Sequence, residues 1–386
     1  MSQSSQLAGA PVICVVGARP NYMKVAPIIR ACAALRPALP TLLLHTGQHY
    51  DPLMKDRLFE DLELPDPDVN LGVGSGTHAV QTAEVMRRFE PVLDQYGARA
   101  VLVVGDVNST LACALVAVKR GVPVAHVEAG LRSYDRAMPE EINRVLTDQI
   151  ADLLYTTERD AAANLQREGI APERVVFVGN VMIDSLRASL AKATPPAQTL
   201  AAAGLDATAI AAGYGVVTLH RPSNVDRRET LAPILDALRA IAARLPLVVA
   251  LHPRTRASID RHGMNEALAA PGFLVLPPQG YLEMLGLMAN ARLVLTDSGG
   301  MQEETTALGV PCLTLRENTE RPITIEQGTN TLVGVAPEAI VAAAATVLDG
   351  GGKAGRIPEY WDGRAAERIA AHLAHWLEKH QGESPR

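Results

Sequence analysis

The stretch Pro11-Val12-Ile13-Cys14-Val15-Val16-Gly17-Ala18-Arg19-Pro20 decides the fold class of this chain. An apolar run, Val12–Val16, ends at a glycine, and Lys24–Leu35 then has the length and pattern of an amphipathic helix. A short apolar run, a turn and a helical stretch are typical of a strand buried in a parallel sheet. The stretch therefore predicts the first strand and helix of an α/β domain.

The same alternation continues along the chain, lapses between residues 188 and 213, and then restarts. This rhythm predicts two Rossmann-like α/β domains that face a cleft, with residues 1–180 in the first and 181–363 in the second. Residues 364–379 predict a C-terminal amphipathic helix. The predicted strands are 12–16, 41–45, 101–104, 123–127, 153–156, 175–178, 216–219, 247–251, 274–276, 293–295 and 312–315, and further predicted helices are 109–120, 140–150 and 337–348.

Composition excludes several classes of protein. The chain has 386 residues and a net charge of −6, which argues against nucleic acid or anionic membranes as partners. Its four cysteines lie in apolar runs, as expected for free thiols in the cytoplasm, and no cluster has metal-ligand spacing. Gly350–Gly355 matches G-x-G-x-x-G but follows a predicted helix, so it predicts no NAD site. We expect neither a metal nor a cofactor.

Polar residues follow the predicted strands of the first domain. Arg19 and Lys24 come after the first strand, where a helix start favours a phosphate. Asp106 follows residues 101–104, and either a helix cap or a catalytic acid fits that position. Glu128 follows residues 123–127. Glu140 is four residues before Arg144, so a simple helix ion pair explains both equally well.

Two strand ends of the second domain carry a similar signal. His220 follows residues 216–219 and is suited to donate to a diphosphate or to move a proton. Ser298, Gly299 and Gly300 follow residues 293–295, where a cap and two glycines let backbone amides approach a diphosphate. Glu304 lies one turn further on, in position to accept hydrogen bonds from sugar hydroxyls.

Taken together and in this order, these blocks resemble the non-hydrolysing UDP-N-acetylglucosamine 2-epimerases. The resemblance is carried by Gly17-Ala18-Arg19-Pro20, Gly105-Asp106, His126 to Ser133, Pro139 to Arg144, Gly179 to Asp184, the His220 block, Thr296 to Glu304 and Thr319-Glu320-Arg321-Pro322. It implies a glycosyltransferase-B-like fold whose C-terminal helix joins the first domain, a homodimer, and a UDP-sugar substrate.

The resemblance also implies roles for individual residues. The expected catalytic residues are Asp106, Glu128, Glu140, Arg144 and His220. Met284 stands where an aromatic residue often contacts uracil, and Gln48 and His49 correspond to a possible regulatory site. The residues expected to bind UDP are Arg19, Lys24, His220, Gln279, Met284, Ser298, Gly299, Gly300, Glu304 and Arg321.

The implied reaction expels UDP from carbon 1 and inverts carbon 2 through 2-acetamidoglucal. Two alternatives stay open at this point. One is the 2-epimerisation of UDP-2,3-diacetamido-2,3-dideoxy-glucuronate, and the other is glycosyl transfer on the same fold.

Overall fold

The computed structural model describes residues 9–47, 61–62 and 64–380. It divides into two compact units. The first contains the described residues up to Ala188 together with those from Glu359 onward, and the second is Ser189–Pro358. Among the described residues, no helix combines the length and the apolar character needed to cross a membrane.

The first unit is a parallel sheet flanked by helices. Its strand order is β3-β2-β1-β4-β5-β6-β7. The strands are β1 (Val12–Val16), β2 (Thr41–His45), β3 (Val69–Asn70), β4 (Ala100–Val104), β5 (Val124–Ala129), β6 (Leu153–Thr156) and β7 (Val175–Phe177). The helices are α1 (Arg19–Ala34), α2 (His78–Tyr96), α3 (Asn108–Lys119), α4 (Pro139–Ile150), α5 (Arg159–Arg167) and α6 (Val181–Leu190), with a short 3₁₀ turn at Pro172–Arg174.

The second unit repeats this topology, with the strand order β10-β9-β8-β11-β12-β13 and every pairing parallel. Its strands are β8 (Gly215–Thr218), β9 (Leu247–Ala250), β10 (Phe273–Leu276), β11 (Leu293–Thr296), β12 (Cys312–Thr314) and β13 (Asn330–Leu332). Its helices are α7 (Pro196–Ala202), α8 (Pro222–Val225), α9 (Arg228–Ala242), α10 (Pro253–Arg261), α11 (Asn265–Leu268), α12 (Tyr281–Ala289), α13 (Gly299–Leu308), α14 (Pro322–Glu326) and α15 (Pro337–Thr346), with a 3₁₀ turn at Ala207–Ile210 and a π turn at Val347–Gly351.

The C-terminal segment belongs to the first unit, where helix α16 (Ala365–Lys379) packs on α1. Trp361 is fully buried and donates its indole N–H to the Thr157 carbonyl. The Asp184 carboxylate accepts the backbone N–H groups of Ala365 and Ala366 at the start of α16. These contacts tie the beginning of α6 to the first unit, which ends at residue 188 and resumes at 359, whereas the sequence suggested 180 and 364.

The predicted α/β class with two parallel sheets is confirmed. The main differences lie at the ends of elements and in β3 and β13, two of the four edge strands, which have two and three residues and were not predicted. Helix α1 begins at Arg19 instead of Lys24 because Pro20 occupies an early helical position, where its missing N–H costs nothing.

Candidate functional site

In the first unit, the chain adds β2 and β3 on one side of β1 and then places β4 on the other side, so the topological switch point lies between β1 and β4. Strand β1 pairs with both β2 and β4, and β4 pairs with β5 so that Val104 lies opposite Val127. Ligands of open α/β sheets bind outside the carboxyl ends of the strands at such a switch point. The turns that follow β1, β4 and β5 therefore form the first candidate site.

The turn after β1 is fixed by Asn21. Its side-chain oxygen accepts the N–H groups of Gly17 (3.1 Å) and Ala18 (2.9 Å), and its amide nitrogen donates to the Val104 carbonyl (3.2 Å). One side chain thus closes the β1–α1 turn and attaches it to the end of β4. The predicted regulatory residues Gln48 and His49 lie outside the described residues, as does the side chain of Arg19.

Lys24 and Glu128 form a buried ion pair between α1 and the end of β5. Glu128 adopts a left-handed backbone conformation (φ 74°), which is strained for a residue with a side chain and is commonest at functional sites. A Cβ atom on Gly105 would lie 3.2 Å from the Glu128 carboxylate and 3.4 Å from the Lys24 ammonium group. Lys24, which was predicted to contact phosphate, pairs here with the predicted catalytic acid Glu128.

Asp106 forms an ion pair with Arg144, whose guanidinium group also binds Glu141 at 2.5 Å. Glu141 in turn accepts the backbone N–H groups of Ser133 (3.0 Å) and Tyr134 (2.9 Å). The simple Glu140–Arg144 ion pair is therefore wrong for the described residues, because Arg144 binds Glu141, three residues before it on α4, and Asp106. Helix α3 is capped at Val107 without a side-chain bond, so the cap interpretation of Asp106 is wrong as well.

A polar cavity of about 280 Å³ lies beside these residues, at the starts of helices α2, α3 and α4. Glu140 is exposed at this cavity and makes no ion pair with any described residue. The cavity is smaller than most complete ligand sites and suits a group the size of one sugar. Its lining residues are Ser75, Gly76, His78, Gln81, Asp106, Val107, Asn108, Pro139, Glu140 and Asn143.

A buried charged network supports the same edge of the sheet and was not predicted. His126 on β5 bonds the Asp148 carboxylate (2.7 Å) through Nδ1 and the Gly105 carbonyl (2.8 Å) through Nε2. Asp148 also binds Arg132 at 2.8 Å. Burial raises the pKa of Asp148, but His126 and Arg132 outweigh burial and hold that pKa below its usual value. The sequence signal was present, since His126 and Arg132 stand in the block quoted above.

The second unit has its own switch point, between β8 and β11, where Thr218 lies opposite Thr296. His220 and Asp297 follow these strand ends and form a pair in which Nδ1 of His220 is 2.8 Å from Oδ1 of Asp297. Asp297 is fully buried, whereas the His220 side chain is 40% exposed. The pair therefore places a partly exposed imidazole against a buried carboxylate at the carboxyl end of β11.

Helix α13 begins directly after Asp297. Ser298 occupies its cap position, but its side chain makes no capping hydrogen bond, which corrects the prediction that it caps. Gly299 and Gly300 form the first turn, whose backbone N–H groups and helix dipole favour an anion. Glu304 is buried one turn further along the same helix.

Arginines and glutamates form a second charged group near this helix start. Arg321 pairs with Glu303 (3.0 Å), and Arg316 pairs with Glu320 (2.8 Å). Burial raises the pKa of Glu320, but the guanidinium groups of Arg316 and Arg321 outweigh burial and hold the pKa well below its usual value. Arg321, which was predicted to bind UDP, is therefore held by a carboxylate in this structure.

The two remaining predicted UDP contacts lie on and before α12. Gln279 is partly buried in the loop after β10 and donates to the Pro277 carbonyl at 2.8 Å. Met284 packs against the apolar cluster that includes Leu287 and Val294. Among the described residues, no group of three or more His, Cys, Asp or Glu side chains has a metal-binding arrangement.

Comparison with known proteins identifies the family to which this chain belongs. The family model described as UDP-N-acetylglucosamine 2-epimerase matches residues 33–374. The chain belongs to this family. It is therefore an isomerase, and the family named from the sequence is confirmed.

Two relatives are equally similar but differ in substrate. The UDP-N-acetylglucosamine 2-epimerase of Methanocaldococcus jannaschii is 41% identical over 94% of this chain and 98% of its own length. The UDP-2,3-diacetamido-2,3-dideoxy-D-glucuronate 2-epimerase of Pseudomonas aeruginosa is also 41% identical, over 94% of this chain and 99% of its own length. A crystal structure of the Methanocaldococcus enzyme in complex with UDP-GlcNAc and UDP matches with a TM-score of 0.82 and 40% identity, covering 95% of this chain and 99% of that one.

Proposed function

We propose that this protein interconverts UDP-N-acetylglucosamine and UDP-N-acetylmannosamine by inverting carbon 2. The observation that carries the proposal is the Lys24–Glu128 pair at the first switch point, where Glu128 has a left-handed backbone and its carboxylate lies beside Gly105. A carboxylate held at a strand end by backbone strain is typical of a catalytic group.

The chemistry explains why carboxylates and anion donors are both needed. The proton on carbon 2 is not adjacent to a carbonyl, so its direct removal is unfavourable. Breaking the bond between carbon 1 and the diphosphate oxygen releases UDP and builds positive charge at carbon 1. A carboxylate then takes the carbon 2 proton, which leaves 2-acetamidoglucal. UDP adds back to carbon 1 as a proton reaches the opposite face of carbon 2.

The residues divide between these tasks in the proposal. Asp106, Glu128 and Glu140 serve as the acids and bases, with Arg144 orienting Asp106. His220, Ser298 and the Gly299–Gly300 helix start stabilise the departing diphosphate, a charge that preorganised donors stabilise strongly. The other proposed UDP contacts are Arg19, Lys24, Gln279, Met284, Glu304 and Arg321. We propose that no NAD and no metal take part, and that Gln48 and His49 regulate the enzyme.

A second substrate is favoured by one specific observation. The Pseudomonas relative, which is as similar as the Methanocaldococcus one, is named for UDP-2,3-diacetamido-2,3-dideoxy-D-glucuronate. The same elimination and re-addition would serve that substrate, because its carbon 1 and carbon 2 carry equivalent groups.

We also propose a homodimer in the cytoplasm. Ile142 and Leu146 are four residues apart on α4 and are 43% and 46% exposed, so they form an apolar strip on one helix face. The four cysteines are buried free thiols, which suits a reducing compartment. Light scattering should give twice the chain mass of 41.1 kDa, and a monomer at micromolar concentration would contradict the dimer.

The function is tested by supplying each UDP-sugar alone and following the products by NMR. The proposal predicts an equilibrium mixture of UDP-N-acetylglucosamine and UDP-N-acetylmannosamine from either one. Turnover of the diacetamido-glucuronate alone would select the second substrate. Release of free N-acetylmannosamine would identify hydrolysis instead, and no change with any of these sugars would contradict epimerisation.

A further inference from the structure

The buried carboxylate of Asp297 accepts hydrogen bonds from the loop after β8. Its oxygens accept the backbone N–H groups of His220 (3.1 Å to each oxygen) and Arg221 (2.9 Å). The Asn224 side-chain amide also donates to Oδ2, at 3.2 Å. The Arg221 side chain donates to the Asp297 backbone carbonyl at 3.0 Å. Asp297, which directly follows β11, thus bonds three residues of this loop: His220, Arg221 and Asn224.

The remaining contact of this carboxylate is with the imidazole of His220. Nδ1 of His220 lies 2.8 Å from Oδ1, whereas Oδ2 receives the Arg221 and Asn224 donors. A carboxylate accepts hydrogen bonds and cannot donate them while charged. Nδ1 must therefore carry the proton in this contact, so that in neutral His220 the lone pair is on Nε2.

We infer that Asp297 is a positioning residue that keeps the proton of neutral His220 on Nδ1 and so presents Nε2 to the diphosphate of the UDP-sugar. The inference rests on the proposed role of His220. A proton taken from solvent at Nε2 turns the imidazole into an imidazolium that donates to the departing diphosphate, and the Asp297 carboxylate stabilises the positive charge of that imidazolium. Asp297 touches no reacting atom in this account and acts only through His220.

The charge of Asp297 agrees with this role. Burial raises its pKa, but the hydrogen bonds and charge of His220 and the two backbone N–H groups outweigh burial and hold the pKa below its usual value. The titratable group that faces His220 from another element is His252, whose ring centroid lies 5.4 Å away at the start of α10. Arg221, on the same loop as His220, lies 3.7 Å from Glu320.

The change Asp297→Asn separates positioning from simple structural support. The amide oxygen should take the place of Oδ2, where the Arg221 and Asn224 donors converge, so the amide NH₂ group would face Nδ1 of His220. A donor at that point favours the other tautomer, with the proton on Nε2. Asn224→Ala is the matched control, because it removes donors to Asp297 and to the Leu315 carbonyl but no bond to His220.

The test is ¹⁵N NMR of the histidine rings in the full chain, measured where the rings are neutral, with His220 assigned by its loss in His220→Asn. The wild type and Asn224→Ala should show the Nδ1–H tautomer, and Asp297→Asn the Nε2–H tautomer. Turnover of Asp297→Asn should fall by about 10²-fold or more.

An Nε2–H tautomer in the wild type would overturn the inference, whether or not Asp297→Asn folds. An unchanged tautomer in Asp297→Asn would overturn it as well. The tautomer is measured without turnover, so these results are independent of the proposed reaction. A wild type that epimerises neither UDP-sugar would refute the proposed function alone.

Discussion

The two units share the same order over six strands, to which the first unit adds β7, yet their switch points carry different kinds of chemical groups. At the switch point of the first unit, three carboxylates stand within reach of the strand ends, and cations hold two of them: Lys24 on Glu128 and Arg144 on Asp106. At the switch point of the second unit, helix α13 starts at Gly299 and Gly300, and the His220 imidazole is paired with the buried Asp297 carboxylate. The same fold thus supplies acids in one copy and anion donors in the other.

The difference arises in the residues that follow the strands. In the first unit, Asp106 follows β4 after one glycine, Glu128 is the last residue but one of β5, and Glu140 lies in the first turn of α4. In the second, the acid after β11 points inward to the loop backbone and His220, and the helix start is left for a ligand. Topology therefore fixes where a site lies, and the first residues of each turn fix what the site does.

The largest expected effect concerns the acids of the first unit. If they move protons, Asp106→Asn, Glu128→Gln and Glu140→Gln should each lower turnover by about 10²–10⁴-fold while UDP binding remains. Asparagine at 106 keeps an acceptor for Arg144, so a fall there reflects proton transfer more than lost structure. Steady-state kinetics and calorimetry with UDP measure the two quantities. Glu84→Gln, an exposed carboxylate of the same unit, is the control. Near-normal turnover in all three variants would show that these carboxylates are not the acids and bases of the reaction.

The next effect concerns the anion donors of the second unit. Arg321→Ala should weaken UDP binding by about tenfold to a hundredfold, because a hydrogen bond to a charged group contributes roughly 1.5–3 kcal/mol. Calorimetry with UDP measures the loss. Arg239→Ala, which breaks an exposed pair on α9, should leave UDP affinity unchanged. Equal affinities in the two variants would remove Arg321 from the site.

The two units each contain a buried aspartate, Asp184 and Asp297, whose pKa values are shifted in opposite directions. Burial raises the pKa of Asp184 in the first unit to about 6, although the Ala365 and Ala366 N–H groups oppose it. Asp184 thus binds its proton more tightly in the folded state than in the unfolded state, where the pKa is about 3.9. Its contribution to stability is complete below about pH 4 and is lost as pH rises past about 6.

Denaturant unfolding at a series of pH values checks this difference. Between about pH 4 and pH 7, the wild type should lose on the order of 2 kcal/mol of stability relative to Asp184→Asn. Asp297, whose pKa is lowered, should behave in the opposite way, so Asp297→Asn should lose stability near neutral pH. Parallel stability curves for the wild type and Asp184→Asn would show that Asp184 is not destabilised by burial.

The smallest expected effect distinguishes the cost of a strained backbone from damage to the Lys24–Glu128 pair. Gly105 (φ 66°) and Gly97 (φ 58°) both have left-handed backbones, and a side chain at either costs about 1–2 kcal/mol. A Cβ at Gly105 would approach Glu128 and Lys24, whereas one at Gly97 would have no atom within 4 Å. Gly105→Ala and Gly97→Ala should lower the melting temperature similarly, and only Gly105→Ala should lose turnover. Equal turnover in the two variants would contradict the importance of the Lys24–Glu128 geometry.

The sequence predicted most of the fold because buried parallel strands are continuous apolar runs, as in Val12–Val16 and Leu153–Thr156. Strands β3 (Val69–Asn70) and β13 (Asn330–Leu332) were missed because they are short and contain polar residues, whereas the equally short edge strand β7 (Val175–Phe177) is wholly apolar and was predicted. Which side chains pair was less predictable. Glu140 and Glu141 can both approach Arg144 along a helix, and only the packing of α4 against the Ser133–Tyr134 turn selects Glu141. Likewise, the ion pair of Lys24 joins residues 104 positions apart.

The central claim is that a carboxylate of the first unit exchanges the proton on carbon 2. Incubation with UDP-N-acetylglucosamine in deuterated water, followed by NMR, tests it most directly. The account predicts deuterium at carbon 2 of the intact nucleotide sugar with the wild type, and a rate of incorporation lower by about 10²–10⁴-fold in Glu128→Gln. Epimerisation without deuterium at carbon 2, or equal incorporation in Glu128→Gln, would contradict it.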